Sequence, residues 1–241
     1  MRLDRLLTEL GLARSRSHAQ ELIRAGRVRV GGKVVTRPAA SATTEAVLDV
    51  DGEDWVGRAA HKLLGAWADL PVPVPVRALD VGASTGGFTQ VLLAHGAREV
   101  YAVDVGHGQL VESLRDDRRV HQREGLNAKD LTLTELDGTP VDLVVADVSF
   151  ISLTHLLPAL TAVAAPGAYA LLMVKPQFEV GRGGLDGRGV VRDETARLAA
   201  VDAVAAAALV LGWQETGRAV SRLPGPAGNV EYFLRLRRGT R

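Results

Sequence analysis

The stretch Ala78-Leu79-Asp80-Val81-Gly82-Ala83-Ser84-Thr85-Gly86-Gly87-Phe88 reads as a strand that runs into a glycine-rich turn and then a helix. Glycines let a backbone approach a ligand closely, and the first turn of a helix offers unpaired N–H donors. The spacing Gly-x-x-x-Gly-Gly differs from the dinucleotide fingerprint Gly-x-Gly-x-x-Gly, and no Gly-Lys-Ser/Thr follows to cradle a nucleotide triphosphate. Asp80, at the strand end, would repel a pyrophosphate but attract the ammonium of a cofactor built on an amino acid. That favours S-adenosylmethionine over a nicotinamide dinucleotide. The expected cofactor residues here are Asp80, Gly82, Ser84, Thr85, Gly86, Gly87 and Phe88.

Three further polar residues sit at strand ends. Asp104 closes the next strand, 24 positions after Asp80, where an acid can accept bonds from ribose hydroxyls. Asn127, just past a third strand, can reach an adenine edge, and Asp147 ends a fourth. A single such acid is as readily a cap or a salt-bridge partner. Four at consecutive strand ends point to one ligand-binding edge.

A second set can do chemistry on an acceptor. Lys175 ends a fifth strand directly before Pro176, Glu231 opens the last strand, and Lys62 lies on a helix ahead of the first. With Asp147 they can set two ammonium groups and two carboxylates around one point, although separation along the chain does not show convergence. Surface salt bridges are the plainer alternative. The six histidines, His18, His61, His95, His107, His121 and His155, show no metal-ligand spacing, and no metal is expected.

The elements that must position these residues alternate strand and helix, the pattern of a mostly parallel sheet covered on both faces. Strands are expected at 76–80, 100–104, 119–122, 141–147 and 169–175, with two late ones near 214–223 and 230–236. The clearest helices are 88–95, 153–164 and 193–211. Ala59 to Leu70 forms a helix with Leu63, Leu64 and Trp67 as apolar contacts, and alternating prolines from Pro71 to Pro75 then enforce an extended connection.

The first forty residues differ in character. They hold nine basic side chains against three acids, and an acidic run from Glu45 to Asp54 follows. Leu3, Leu6, Leu7 and Leu10 mark one helical face that Gly11 ends. Ser17 with Gln20 suggests a capping box for a second helix buried through Ala19, Leu22 and Ile23. Val28 and Val30, the Gly31-Gly32 turn and Lys33 to Val35 make a hairpin. Residues 1–52 are therefore expected as a small α+β domain, 53–57 as a linker and 58–241 as the α/β domain. Arg5, Arg14, Arg16, Arg24, Arg27 and Arg29 are candidate RNA contacts to phosphate, with a solvated surface as the bland alternative.

The arginine pattern from Arg5 through Gly32 resembles the S4 RNA-binding domain. Over nearly the whole chain the blocks Arg58-Ala-Ala-His-Lys62-Leu, Asp80 to Thr89, Asp104 to Leu110, Asp147 to Ser152, Val174 to Glu179 and Gly225 to Phe233 resemble the haemolysin A-type (TlyA) ribosomal RNA 2′-O-methyltransferases. In that family an S4 domain precedes an FtsJ-like, Rossmann-like class I methyltransferase with a seven-stranded mixed sheet. The resemblance implies a catalytic Lys-Asp-Lys-Glu tetrad at Lys62, Asp147, Lys175 and Glu231. It also implies a cytidine ribose hydroxyl of ribosomal RNA as acceptor. Members act on one or both ribosomal subunits, so 16S RNA stands beside 23S RNA as a substrate. The extent of the chain resembles the shorter, large-subunit-directed form.

In-line attack of a 2′-oxygen on a sulfonium methyl needs positioning and removal of one proton. Lys175 is expected at the 2′-hydroxyl. A second cation and burial favour a neutral lysine, whereas carboxylate neighbours favour a charged one. The residues alone leave open whether it acts as base or only orients the hydroxyl.

Bulk properties exclude other classes. There are no cysteines for disulfides or thiolate metal sites, and no uninterrupted apolar run long enough to span a membrane or form a pore. The N-terminus lacks a signal-peptide core. A cytoplasmic protein acting on ribosomal RNA or subunits is expected, and a monomer, since nothing demands a dimer. The competing readings are a non-catalytic RNA-binding or ribosome-assembly factor, and a nicotinamide-dependent oxidoreductase that the glycine spacing disfavours.

Overall fold

The structure, a computed structural model, describes residues 1–9, 13, 15–43, 46, 48–50, 55–225 and 227–240, with the side chains of Asp49 and Arg182 excepted. The chain divides into two units, Met1–Asp54 and Trp55–Arg241.

In the first unit, α1 (Leu3–Glu9) and α2 (Arg16–Arg24) bury Leu3, Leu6, Leu7, Ala19, Leu22 and Ile23 in one small core. Leu10, Gly11 and Arg14 lie outside the described residues. The expected capping box is displaced. Ser15, not Ser17, is the N-cap of α2 and accepts from the backbone N–H of His18, while Gln20 donates to Asp4 instead. Strands β1 (Val28–Val30), β2 (Lys33–Val34) and β3 (Leu48–Val50) form an antiparallel sheet in the order β2-β1-β3. The β1–β2 turn needs positive φ at both positions, and Gly31 and Gly32 supply 58° and 76°.

Asp4 is the polar anchor of this unit. Its carboxylate is fully buried and accepts from the Arg2 guanidinium at 2.9 and 3.0 Å, from Gln20 at 2.8 Å and from Arg16 at 3.2 Å. The Arg2 contact, helped by Gln20 and Arg16, holds its carboxyl well below the usual carboxylate range against the opposing effect of burial. A depressed carboxyl stabilises the fold fully above its ordinary value of 3.8, and that contribution falls away progressively as the pH drops from there toward the much lower folded value. Asp4→Asn should therefore lower the protection of first-unit amides at pH 7. It should also remove most of the loss that the parent shows on acidification toward pH 3. Native-state hydrogen exchange on the full chain reads both.

The second unit opens with α3 (Arg58–Asp69); of the expected linker, residues 53 and 54 lie outside the described residues, and Val56 donates to the Gln90 amide at 2.8 Å. Pro71 to Pro75, without regular secondary structure, then lead to β4 (Arg77–Val81). There follow α4 (Gly87–Ala94), β5 (Glu99–Asp104), α5 (Glu112–Arg115), β6 (Val120–Glu124), β7 (Val141–Ala146), α6 (Leu157–Val163), β8 (Ala164–Val174), α7 (Pro176–Glu179), α8 (Glu194–Val210), β9 (Trp213–Val220) and β10 (Tyr232–Arg238). The seven strands are ordered β6-β5-β4-β7-β8-β10-β9. The five from β6 to β8 are parallel, and β10 inserts antiparallel between β8 and β9.

Strand alternation assigns each residue to a face. Leu79, Val144, Leu172 and Leu234 pack with α6 and α8, whereas Ala78, Val145, Met173 and Phe233 pack with α3 and α4. The helix expected over 153–164 is broken. A single 3-10 turn at Leu153–His155, capped by Ser152, precedes α6, and Pro158 sits in the first turn of α6, where its missing N–H costs nothing. Ala164 then turns directly into β8, five residues earlier than the periodicity predicts.

Candidate active site

The site lies at the carboxyl ends of the parallel strands, where β4 and β7 part company from the helices that follow them. Asp147 leaves β7 and donates its backbone N–H to the Val81 carbonyl at 2.9 Å. Gly82 lies against it at φ +81°, and a Cβ there would stand 2.5 Å from the Asp147 carbonyl oxygen. Only glycine fits.

A cavity of about 470 Å³ opens between these strand ends, lined among others by Gly82, Ser84, Asp104, Gln109, Asn127 and Asp147. Asp104 is fixed by two backbone donors, Ser84 N–H at 2.8 Å and Gly106 N–H at 2.7 Å. Asn127 accepts from the Lys129 N–H through Oδ1, which leaves its amide nitrogen to the cavity. Leu126 and Ile151 add apolar walls. An acid for ribose hydroxyls, an amide for a purine edge and an apolar slot for the ring suit S-adenosylmethionine.

A second cavity of about 280 Å³ adjoins the first and shares Gly82, Ser84, Asp147 and Ser149 with it. Lys62, Lys175 and Glu231 line it, together with Thr85, Gly87 and Phe88. The structure thus gathers all four members of the expected tetrad, and it gathers them as two pairs. Lys62 Nζ meets Glu231 Oε2 at 2.5 Å, with both groups buried. Lys175 Nζ meets Asp147 Oδ1 at 2.7 Å and donates to Ser149 Oγ at 2.9 Å. α3 reaches Glu231 because it packs on the face that also holds Phe233, two residues on in β10.

Two cofactor residues expected from the sequence sit deeper than foreseen. Gly86 lines neither cavity and faces Leu110 and Leu114. Asp80 lines neither cavity either. It is fully buried beneath the loop, accepts from Thr89 Oγ1 at 2.7 Å, and its Oδ1 has no partner. Burial pushes its carboxyl up to about 7; the Thr89 bond opposes this, and the nearby Asp147 and Asp104 add to it. A raised acid lends the cofactor-free fold stability below its ordinary 3.8 that is lost as the pH rises to about 7. A bound ammonium favours the ionised form, so cofactor affinity should tighten as pH rises from 6 toward 8, by at most about tenfold per unit. Calorimetric titration of wild type against Asp80→Asn checks this, because the difference between them isolates Asp80 from the cofactor's own titration.

Several residues at the site were not foreseen. Gln109 accepts from Ser84 Oγ across the first cavity. Glu179 accepts from Ser152 Oγ at 2.5 Å and from the Leu153 N–H at 2.9 Å, tying α7 to the loop after β7. Phe150, in that loop, is 91% exposed at φ +65° and stands 5.3 Å from Phe178. A non-glycine residue held in the left-handed region is strained, strain of this kind clusters at functional sites, and the conformation cannot be read from residue type. Among the described residues no group of three or more His, Asp or Glu could hold a metal, and no helix is long and apolar enough to cross a membrane.

The candidate RNA contacts are partly engaged within the first unit. Arg5 pairs with Glu9 at 2.8 Å, Arg16 with Asp4, and Arg24 donates weakly to Gln20 at 3.4 Å. Arg5, Arg16 and Arg24 remain exposed, Arg27 and Arg29 are half-buried, and Arg14 lies outside the described residues.

The chain is 53% identical to the 16S/23S rRNA (cytidine-2′-O)-methyltransferase TlyA of Mycobacterium tuberculosis, over 99% of this chain and 90% of that one. It is 39% identical to Hemolysin A of Brachyspira hyodysenteriae, over 97% and 98% of the two chains. A solved Streptococcus thermophilus protein described as a hemolysin superposes with a TM-score of 0.76 at 36% identity, covering 99% of this chain and 88% of that one. The S4 domain model matches residues 1–47, and the FtsJ-like methyltransferase model matches residues 55–238. With that match spanning the paired cavities, the chain belongs to the FtsJ-like methyltransferase family, whose members depend on S-adenosylmethionine.

Proposed function

We propose that this protein methylates the 2′-hydroxyl of a cytidine ribose in ribosomal RNA, taking 23S RNA as substrate and 16S RNA as a second one to be tested. The observation that carries the reading is the pairing of Lys175 with Asp147 at the junction of the two cavities. The cofactor supplies an activated methyl group; the protein must aim the acceptor oxygen and take one proton from it.

Lys175 Nζ donates to Ser149 Oγ and stands in an ion pair with Asp147, which leaves an N–H available to the acceptor oxygen. In this reading the ion pair is a relay. Nζ hands a proton to Asp147 Oδ1 and turns the freed lone pair to the hydroxyl, whose proton it takes up as the oxygen–methyl bond forms and the sulfur–methyl bond breaks, the sulfonium leaving as a neutral thioether. Lys62 and Glu231 form the opposite wall and fix the acceptor ribose. Gly82 and Asp147, packed backbone to backbone, keep the transfer line short. Phe150 offers a stacking face at the rim for an unstacked base.

The catalytic roles of Lys62, Asp147, Lys175 and Glu231 and the cofactor roles of Gly82, Ser84, Thr85, Asp104 and Asn127 are part of this proposal. So are phosphate contacts through Arg5, Arg16, Arg24, Arg27 and Arg29, action as a monomer, and work in the cytoplasm, where ribosomal RNA is found. A non-catalytic assembly factor would have no use for a buried and a half-buried charge pair flanking a cofactor cavity, since such pairs add little to stability in themselves. Incubation of purified protein and tritiated S-adenosylmethionine with separated ribosomal subunits tests the proposal. Incorporation into large-subunit RNA is expected, and label in neither subunit would defeat it.

A further inference from the structure

The second cavity holds one cation that the methyl-transfer chemistry does not use. Arg58, one helical turn before Lys62 on α3, lines it. Each lysine of the cavity has its own carboxylate, Lys62 with Glu231 and Lys175 with Asp147, so the tetrad is balanced in charge. Arg58 has no carboxylate in contact among the described residues. Among the described residues its Nε is buried without an acceptor, and its one bond is a long 3.4 Å contact from Nη2 to the Pro224 carbonyl. A guanidinium left this poorly satisfied beside a substrate cavity lacks an anion.

The surrounding backbone has the same sign. The N-terminal ends of α3 and α4 both reach this cavity through Gly57, Arg58, Thr85 and Gly87, and neither helix carries a side-chain cap. Each end adds partial positive charge and open N–H donors. With the tetrad neutral as a whole, Arg58 and the two helix ends leave the cavity electropositive.

We propose that Arg58 forms a phosphate subsite that holds the phosphodiester next to the acceptor ribose. The inference rests on the RNA-methylating reading and adds a recognition element to it. A phosphodiester is the anion that a ribose necessarily brings with it, and a guanidinium fork matches its paired oxygens. The other available anion is the carboxylate of the cofactor's amino-acid end. Arg58 is absent from the cavity that carries Asp104 and Asn127 and present in the one that carries both lysines, which favours the RNA.

Methyl transfer from tritiated S-adenosylmethionine to ribosomal subunits, measured across a series of KCl concentrations, distinguishes the two. For the full-length Arg58→Ala variant, KM for subunits should rise about tenfold or more at fixed salt. The slope of log kcat/KM against log salt should become shallower by about one. Calorimetric affinity for S-adenosylmethionine should stay unchanged. Arg58→Lys should recover the salt slope but only part of the KM, because it keeps the charge and loses the fork. If Arg58→Ala does not fold, Arg58→Gln carries the same expectation.

Unchanged KM and slope would overturn the subsite. Weakening of cofactor binding that matches the loss of activity would overturn it too, by assigning Arg58 to the carboxylate. Wild-type protein inert on both subunits would remove the RNA reading itself and this inference with it, an outcome visible before any variant is compared.

Discussion

Lys175→Ala is expected to lower methyl transfer by about 10²–10⁴-fold while leaving S-adenosylmethionine affinity close to that of the parent. The separation follows from where the side chain points. Lys175 lines the second cavity and not the one that carries Asp104 and Asn127, so its removal takes nothing from the cofactor's polar contacts. It does take the N–H that the proposed mechanism offers to the acceptor, and it strands Asp147, which loses the ion pair at 2.7 Å. Lys175→Arg should not rescue, because a guanidinium is larger and does not give up a proton. Single-turnover transfer and calorimetry on the same preparation check both halves, and wild-type transfer by Lys175→Ala would remove this residue from the chemistry.

Glu231→Ala should destabilise the second unit by about 3–5 kcal/mol and abolish transfer. Lys62 is 7% exposed, and without Glu231 it becomes a buried charge lacking its partner at 2.5 Å. The informative companion is the double variant Lys62→Met with Glu231→Leu. Apolar replacements of similar volume remove both desolvation penalties, so urea stability should return to near the parental value. Transfer should not return. Stability and activity rising together in the double variant would show the pair to be structural only.

Much of the sheet is legible in the sequence because each parallel strand is a short apolar run ended by a polar residue. Asp80, Asp104 and Asp147 are read from that pattern, and all three fall at the same edge of the sheet. The pairing within the tetrad is not legible. Which lysine meets which carboxylate depends on β10 entering antiparallel between β8 and β9 and on α3 covering the Phe233 face, and both are long-range outcomes. The depth of Asp80 is hidden for a similar reason. A strand-end acid reads the same whether it faces the cavity or lies under its floor, and the Thr89 bond from α4 decides it here.

Local misreadings have local causes. Ser15 and Ser17 are both acceptable N-caps by type, and the choice is settled when Gln20 is drawn to Asp4 rather than back to its own helix start. Asp4 itself looks like an ordinary surface acid in the sequence. Its role needs Arg2, Arg16 and Gln20 brought together by the α1–α2 contact. Periodicity runs through Pro158 without a break, yet the proline is compatible only with a helix that starts beside it. Arg58 stands inside a readable block, and what sets it apart, an unmet donor beside a charge-balanced tetrad, belongs to three dimensions alone.

The most direct measurement on the central claim is the identity of the methylated nucleoside. Large-subunit RNA treated with wild-type protein and isotopically labelled S-adenosylmethionine, digested to nucleosides and resolved by mass spectrometry, should carry the label as 2′-O-methylcytidine. The label should be missing from that nucleoside with Lys175→Ala. Label recovered on a base, or on a ribose other than cytidine's, would contradict the account.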